Sequence, residues 1–146
     1  MYRQLTPTPT PSISDRRSAV VESIELRTDP KPEIWRAQGS QTYIAITPVY
    51  RIGGAAIVQM IDAAAMQVYS YLSDVGDGPI RGGHFSWDGD HGLSLNAWSA
   101  NNHQTTYGVL EAAIRALTSY FHAHGYGRAT FLIYDGKNQV GEGIVG

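Results

Sequence analysis

The sequence predicts an α+β domain with two helices on one face of an antiparallel sheet. Three observations carry that reading. Two stretches have apolar residues recurring every three or four positions, several shorter runs alternate apolar with polar, and a unit of strand, helix, strand and Asp-Gly turn occurs twice. At 146 residues the chain fits one domain, and a chain of that size buries roughly two-thirds of its unfolded surface, enough for a self-sufficient core.

Residues 1–17 contain "TPTPTPS", where proline removes backbone donors and favours extended polyproline geometry, so they are expected to form a flexible arm that can dock on a neighbouring subunit. The remainder, 18–146, is read as the single domain. "SAVVESIELRT" alternates Val20, Glu22, Ile24 and Leu26 with Val21, Ser23 and Glu25, as an edge strand with one apolar face does. "DPKPE" ends it, because Pro30 and Pro32 cannot continue a ladder.

"QTYIAIT" is the next strand, expected to stop at Pro48. A helix follows "RIGG", with Ile57, Ile61, Ala64, Val68 and Leu72 at helical spacing and Gly76 as its stop. "GGHFSWD" and "GLSLNAW" read as strands. A second helix after "NNHQT" places Tyr107, Leu110, Ile114, Leu117 and Phe121 on one stripe, with Gly125 as its cap. "RATFLIYDG" and "QVGEGIV" close the chain as a hairpin.

The two repeats, "YIAIT…GGHFSWDGDHG" and "LSLNAW…RATFLIYDGKNQ", each form a split β-α-β unit. Together they predict a ferredoxin-like β-α-β-β-α-β sandwich with an extra N-terminal and an extra C-terminal strand.

Composition closes several routes to function. The chain has no cysteine, hence no disulfide framework, thiolate nucleophile or iron–sulfur ligand. With a net charge of −2, only Lys31 and Lys137 as lysines and scattered arginines, it offers no basic stripe for nucleic acid. No apolar run reaches the roughly 18–20 residues a membrane helix needs, and "MYRQLTPTPTPSISDRR" lacks a secretory apolar core. The expectation is a soluble, cytoplasmic protein, although a processed secreted protein reads the same way.

"HFSWDGDHGLSL" gathers His84, Asp88, Asp90 and His91. "WDGDHG" and "YDGKNQ" occupy equivalent places in the two repeats, and Asp-Gly between alternating runs marks a hairpin, so Asp88 and Asp135 are read as turn residues. Asp90 and His91 are read as solvated. The segment lacks the rest of a calcium loop, and no metal or cofactor is expected. His122 and His124 fall in the last turn of the second helix, where the dipole favours imidazolium. The glycines of "YRIGGAA" lack phosphate-loop spacing and are read as allowing close helix–sheet contact.

Alternation then separates the sheet faces. Ile44, Ile46, Phe85, Trp87, Leu93, Leu95, Phe131 and Ile133 meet the helices, whereas Tyr43, Ala45, Thr47, His84, Ser86, Asp88, Ser94, Asn96, Trp98, Thr130, Leu132 and Tyr134 form the outer face. Flat aromatic area with a few polar groups suits a ligand pocket or a subunit interface. The leading expectation is a binding or self-associating domain that works through this face as a homodimer. Its ligand would be a small apolar or aromatic molecule held by Trp98, Ser86, Tyr134 and Thr130. The alternative is a cofactor-independent enzyme acting on a small aromatic or polyketide-like substrate. There His84 serves as general base, Asn96 and Tyr43 donate to a developing oxyanion, and Trp98 is a stacking wall. A secreted interaction protein is the third class.

Over residues 42–134 the element order resembles ferredoxin-like subunits that dimerise through their sheets into an α+β barrel. The resemblance implies a homodimer, and some such barrels are cofactor-free enzymes that use Tyr, His, Trp and Asn inside the barrel. "NNHQTTYGVLEAA" and "FLIYDGKNQVGEG" resemble segments of small uncharacterised proteins of filamentous fungi, a likeness that implies no activity.

Overall fold

A computed structural model describes Tyr2–Arg3, Pro9–Thr10 and residues 31–146. The chain divides into two units, residues 1–30 and 31–146. In the first, β1 (Tyr2–Arg3) pairs antiparallel with β2 (Pro9–Thr10). The strand expected over "SAVVESIELRT" and the rest of the proline-rich arm lie outside the described residues.

The second unit runs β3 (Glu33–Arg36), β4 (Thr42–Arg51), α1 (Gly54–Asp74), β5 (His84–Asp88), β6 (Ser94–Ser99), α2 (Tyr107–His124), β7 (Gly127–Asp135) and β8 (Asn138–Val145). It is an α+β fold whose six strands form one antiparallel sheet in the order β3-β4-β7-β8-β6-β5. Both helices lie where the periodicity places them. Ile57, Ile61, Ala64 and Val68 of α1 and Leu110, Ile114, Leu117 and Phe121 of α2 are buried, together with Ile44, Ile46, Leu95, Phe131 and Ile133 of the sheet. Each such side chain contributes about 1.5–3 kcal/mol by leaving water. Phe85 and Trp87, on the edge strand, pack against this core only partly buried.

The strand order departs from the expected ferredoxin-like one. In a split β-α-β arrangement the strand after α2 takes an outer position and β4 lies beside β6. Here the β7–β8 hairpin stands between them, β7 pairing with β4 and β8 with β6. The cause is local. A two-residue turn at Gly136 and Lys137, with Gly136 at φ 63°, holds β8 against β7, and β4 already fills the other side of β7. The added C-terminal strand is therefore central, and β3, which the sequence reading did not place, is a short edge beside β4.

β4 also runs through Pro48, where the sequence places its end. Ala37 N–H donates to Thr42 C=O at 3.0 Å, so even-numbered β4 residues direct their backbone polar groups toward β3. Because β3 reaches only Ile46, the donor Pro48 lacks would face an open side. The ladder to β7 continues past Pro48 through a bulge before Tyr50.

The two Asp-Gly turns behave differently. Asp135-Gly136 is a hairpin corner as expected. Both aspartates are paired strand residues, Asp135 opposite Asn138 and Asp88 opposite Ser94, but Gly89 is still bonded across the hairpin, its N–H donating to Leu93 C=O, and the corner lies further on, at His91 (φ 60°) and Gly92 (φ 75°). There Leu93 N–H donates to Asp90 C=O at 3.2 Å, giving the positive φ at both central positions of a type I′ turn. Asp90 and His91 are exposed. Among the described residues no helix is long and apolar enough to cross a membrane. At the start of α1, Gly53 has open space where a side chain would go and only Gly54 meets a ring, that of Tyr126, so close contact accounts for one glycine and not both.

Candidate functional site

The helices cover one sheet face; on the other, strand register aligns side chains in rows. One row crosses the sheet as Ile34, Ala45, Leu132, Glu142, Trp98 and His84. The next runs Thr47, Thr130, Ile144, Asn96 and Ser86. Every residue assigned to the outer face by alternation stands on that face, because directly paired residues of an antiparallel sheet project to the same side.

The rows split the candidate residues into two groups. His84, Ser86, Asn96 and Trp98 are neighbours on β5 and β6. His84 Nε2 lies 3.2 Å from Asn96 Oδ1, so an imidazole protonated at Nε2 donates to the amide oxygen and keeps Nδ1 free. Asn96 Nδ2 in turn donates to Ser94 Oγ at 3.2 Å. The Trp98 ring meets the His84 ring edge-on, centroids 5.9 Å apart.

Tyr43 and Tyr134 belong elsewhere. Their rings stack in parallel at 4.9 Å, with the Arg36 guanidinium 5.0 Å above Tyr43. Tyr43 on β4 is three strand spacings across the sheet from Asn96 on β6, about 14 Å, and four residues along it, about 13 Å, so within one chain the two expected oxyanion donors do not converge.

Two depressions mark the face. A central one of about 390 Å³ is lined by Ala45, Thr47, Trp98, Thr130, Leu132, Glu142 and Ile144 among others. A shallower one, open to solvent, lies over Gly82, Gly83, His84, Asn96 and Ser99. Trp98 and Ile144 line both, so the indole and Ile144 divide them. The indole is held by Nε1 donating to Glu142 Oε2 at 2.7 Å.

Glu142 and Ile144 are the residues that sequence reading misses. Their signal is the alternation in "VGEGIV", which puts Gly141, Gly143 and Val145 on the core side, all buried, and Glu142 and Ile144 opposite. Beneath them, a side chain at position 143 would collide with the Phe131 ring and the Asn96 carbonyl. Glycine is what lets β8 pass between those groups. Among the described residues no three His, Asp or Glu side chains gather as a metal-ligand set.

A second aromatic cluster ties α2 to β3. His124, in the last turn of α2, stacks on Tyr120 at 4.5 Å, meets the Trp35 ring edge-on at 5.3 Å and lies 3.7 Å from a Glu33 carboxylate oxygen. Burial first, then the Glu33 charge and a hydrogen bond to it, push the Tyr120 phenol above its ordinary value.

No family model, curated protein or solved structure matches the chain. Its class is defined by its own geometry, an α+β sandwich of two layers with a mixed apolar and polar outer sheet face. The particular features of that face are a tryptophan pinned by a carboxylate and a histidine paired with an asparagine.

Proposed function

We propose that this chain is a binding and self-associating domain whose working surface is the outer sheet face, two copies stacking face to face around a shared apolar chamber. The observation that carries this reading is the apolar strip of Ile34, Ala45, Leu132, Ile144 and Trp98, bordered by His84 and Asn96 and crossed at its centre by Glu142, whose carboxylate is tied to the Trp98 indole. Apolar area with a few fixed polar groups is how subunit interfaces and ligand pockets are composed. Stacking two such faces encloses the central depressions, which suits a small apolar or aromatic ligand with Trp98 as its anchor.

Light scattering tests it. The expected result is a mass above the 15.9 kDa of one chain, lowered by Leu132→Asp, which places a charge in the middle of the strip. A parent protein at single-chain mass, or a variant of unchanged mass, overturns the reading.

The His84–Asn96 contact favours a second reading, an enzyme in which Nε2–H is held by Asn96 and Nδ1 is the general base. In that case His84→Ala lowers turnover roughly a hundredfold or more, since general base catalysis contributes about that much. In a binding module Trp98→Ala costs more affinity than His84→Ala, because buried aromatic anchors carry most of the binding energy. The two variants measured side by side separate the readings.

A further inference from the structure

The two edges of the sheet are built differently. The β3 edge is four residues long, preceded by Lys31 and Pro32 and carrying Glu33 and Arg36, the kind of charge and proline that blocks strand addition. The β5 edge, "HFSWD", has neither lysine nor proline nor a bulge and places Phe85 and Trp87 half-buried at the margin.

Hydrogen bonding defines what this edge offers. Gly89 N–H donates to Leu93 C=O at 2.8 Å, and the β5–β6 register continues unbroken from that pair. Odd-numbered residues of β5 therefore bond to β6, and Ser86 and Asp88 direct both N–H and C=O outward, by the alternation of antiparallel ladders, while His84 offers its C=O and donates its N–H to Arg81 C=O. Gly146 N–H, donating to Ser94 C=O at 2.9 Å, shows Ser94 turned toward the β8 side rather than toward Asp88, as this assignment requires.

We propose that β5 pairs antiparallel with β5 of a second copy of this chain, about a two-fold axis at Ser86, to give one continuous twelve-stranded sheet. The segment is self-complementary about that axis. Ser86 meets its own counterpart and exchanges both bonds with it, and His84 C=O accepts from the N–H of the partner's Asp88, so four hydrogen bonds join the two strands. Imidazole faces carboxylate on the outer side, and Phe85 faces the partner's Trp87 on the helix side, an aromatic cross-strand pair made twice. A groove of about 230 Å³ lined by Gln67, Tyr71, Phe85, Trp87 and Tyr107 runs beside the edge, leaving room for the partner's ring. This contact is independent of face stacking, since it uses the edge of the sheet and not its outer face.

The test uses the full chain. Ser86→Pro removes an outward N–H and spares the β5–β6 ladder, so the mass in solution is expected to halve, whereas Leu132→Asp leaves edge pairing intact. Because the chain has no cysteine, Ser86→Cys supplies a single thiol. The two-fold places paired Cα atoms about 5.5 Å apart, inside the about 4.4–6.8 Å that disulfides span. Mild oxidation is expected to link Ser86→Cys chains into dimers, in the Leu132→Asp background as well, and to leave Met66→Cys, on the exposed side of α1, largely unlinked. The thiol experiment holds even where Ser86→Pro fails to fold. A folded Ser86→Pro protein of unchanged mass, or Ser86→Cys linking no faster than Met66→Cys, overturns the proposal and leaves the edge to a strand from another protein or to solvent.

Discussion

Gly143 sits where Phe131 and the Asn96 carbonyl would meet any side chain, and Gly92 holds a corner at φ 75°. The two glycines are required for different reasons, and substitution separates them. Gly143→Ala adds a methyl to a filled core layer and is expected to cost about 1–3 kcal/mol. Gly92→Ala meets open space and costs only the backbone penalty of a left-handed residue, about 1–2 kcal/mol. Urea denaturation of both variants checks the order. An equal loss in both would mean that β8 tolerates a side chain at its core face. The same contrast shows how much of the hairpin was legible. Asp-Gly marks both turns in the sequence, yet at Asp88-Gly89 the corner moves to His91-Gly92, because Gly89 itself bonds to Leu93 C=O and carries the hairpin past the motif.

At the level of elements, α2 is the best determined by its own sequence. Thr106 caps it by accepting from Val109 N–H at 3.2 Å, and Gly125 ends it at φ 93°. What its sequence does not reveal is that its last turn fastens β3 through Tyr120 and His124. The raised Tyr120 value has a signed consequence. A phenol whose folded value lies above its ordinary value of 10.0 stays protonated in the folded chain while the unfolded chain loses its proton. Its contribution to stability is thus full below about pH 10 and is lost as pH rises through the folded value. Thermal melts between pH 8 and pH 11 are expected to show stability falling above pH 10, with a shallower fall in Tyr120→Phe. An identical slope in the two proteins would detach Tyr120 from the alkaline transition.

Across the whole molecule, the position of β8 decides most. A hairpin placed centrally, with β7 bonded on both sides and β8 likewise, should be the last part to exchange with solvent, since amides in the interior of a sheet open only with global unfolding. Hydrogen exchange is expected to be slowest in β7 and β8 and fastest in β3. Equal protection of β3 and β8 would contradict this order. The same placement puts Glu142 beside Trp98 and Ile144 beside Asn96, so the outer face owes its central carboxylate and the Ile144 part of its apolar strip to a strand whose location no local pattern announces.

What the sequence determined by itself is what depends on period and on single residues: two helices and their core stripes, the alternating strands, and which side of the sheet His84, Asn96, Trp98, Thr130 and Tyr134 occupy. Those features follow from side-chain geometry within one element, where spacings of about 3.6 and 2 residues leave little choice. Tertiary structure alone decided strand order, and with it the separation of Tyr43 from Asn96, the arrival of Glu142 at Trp98, and which edge is left, among the described residues, with most of its ladder groups unpaired. Neighbours in a sheet are chosen by long-range pairing, whose free energy lies in contacts between distant segments and leaves no periodic trace in either one.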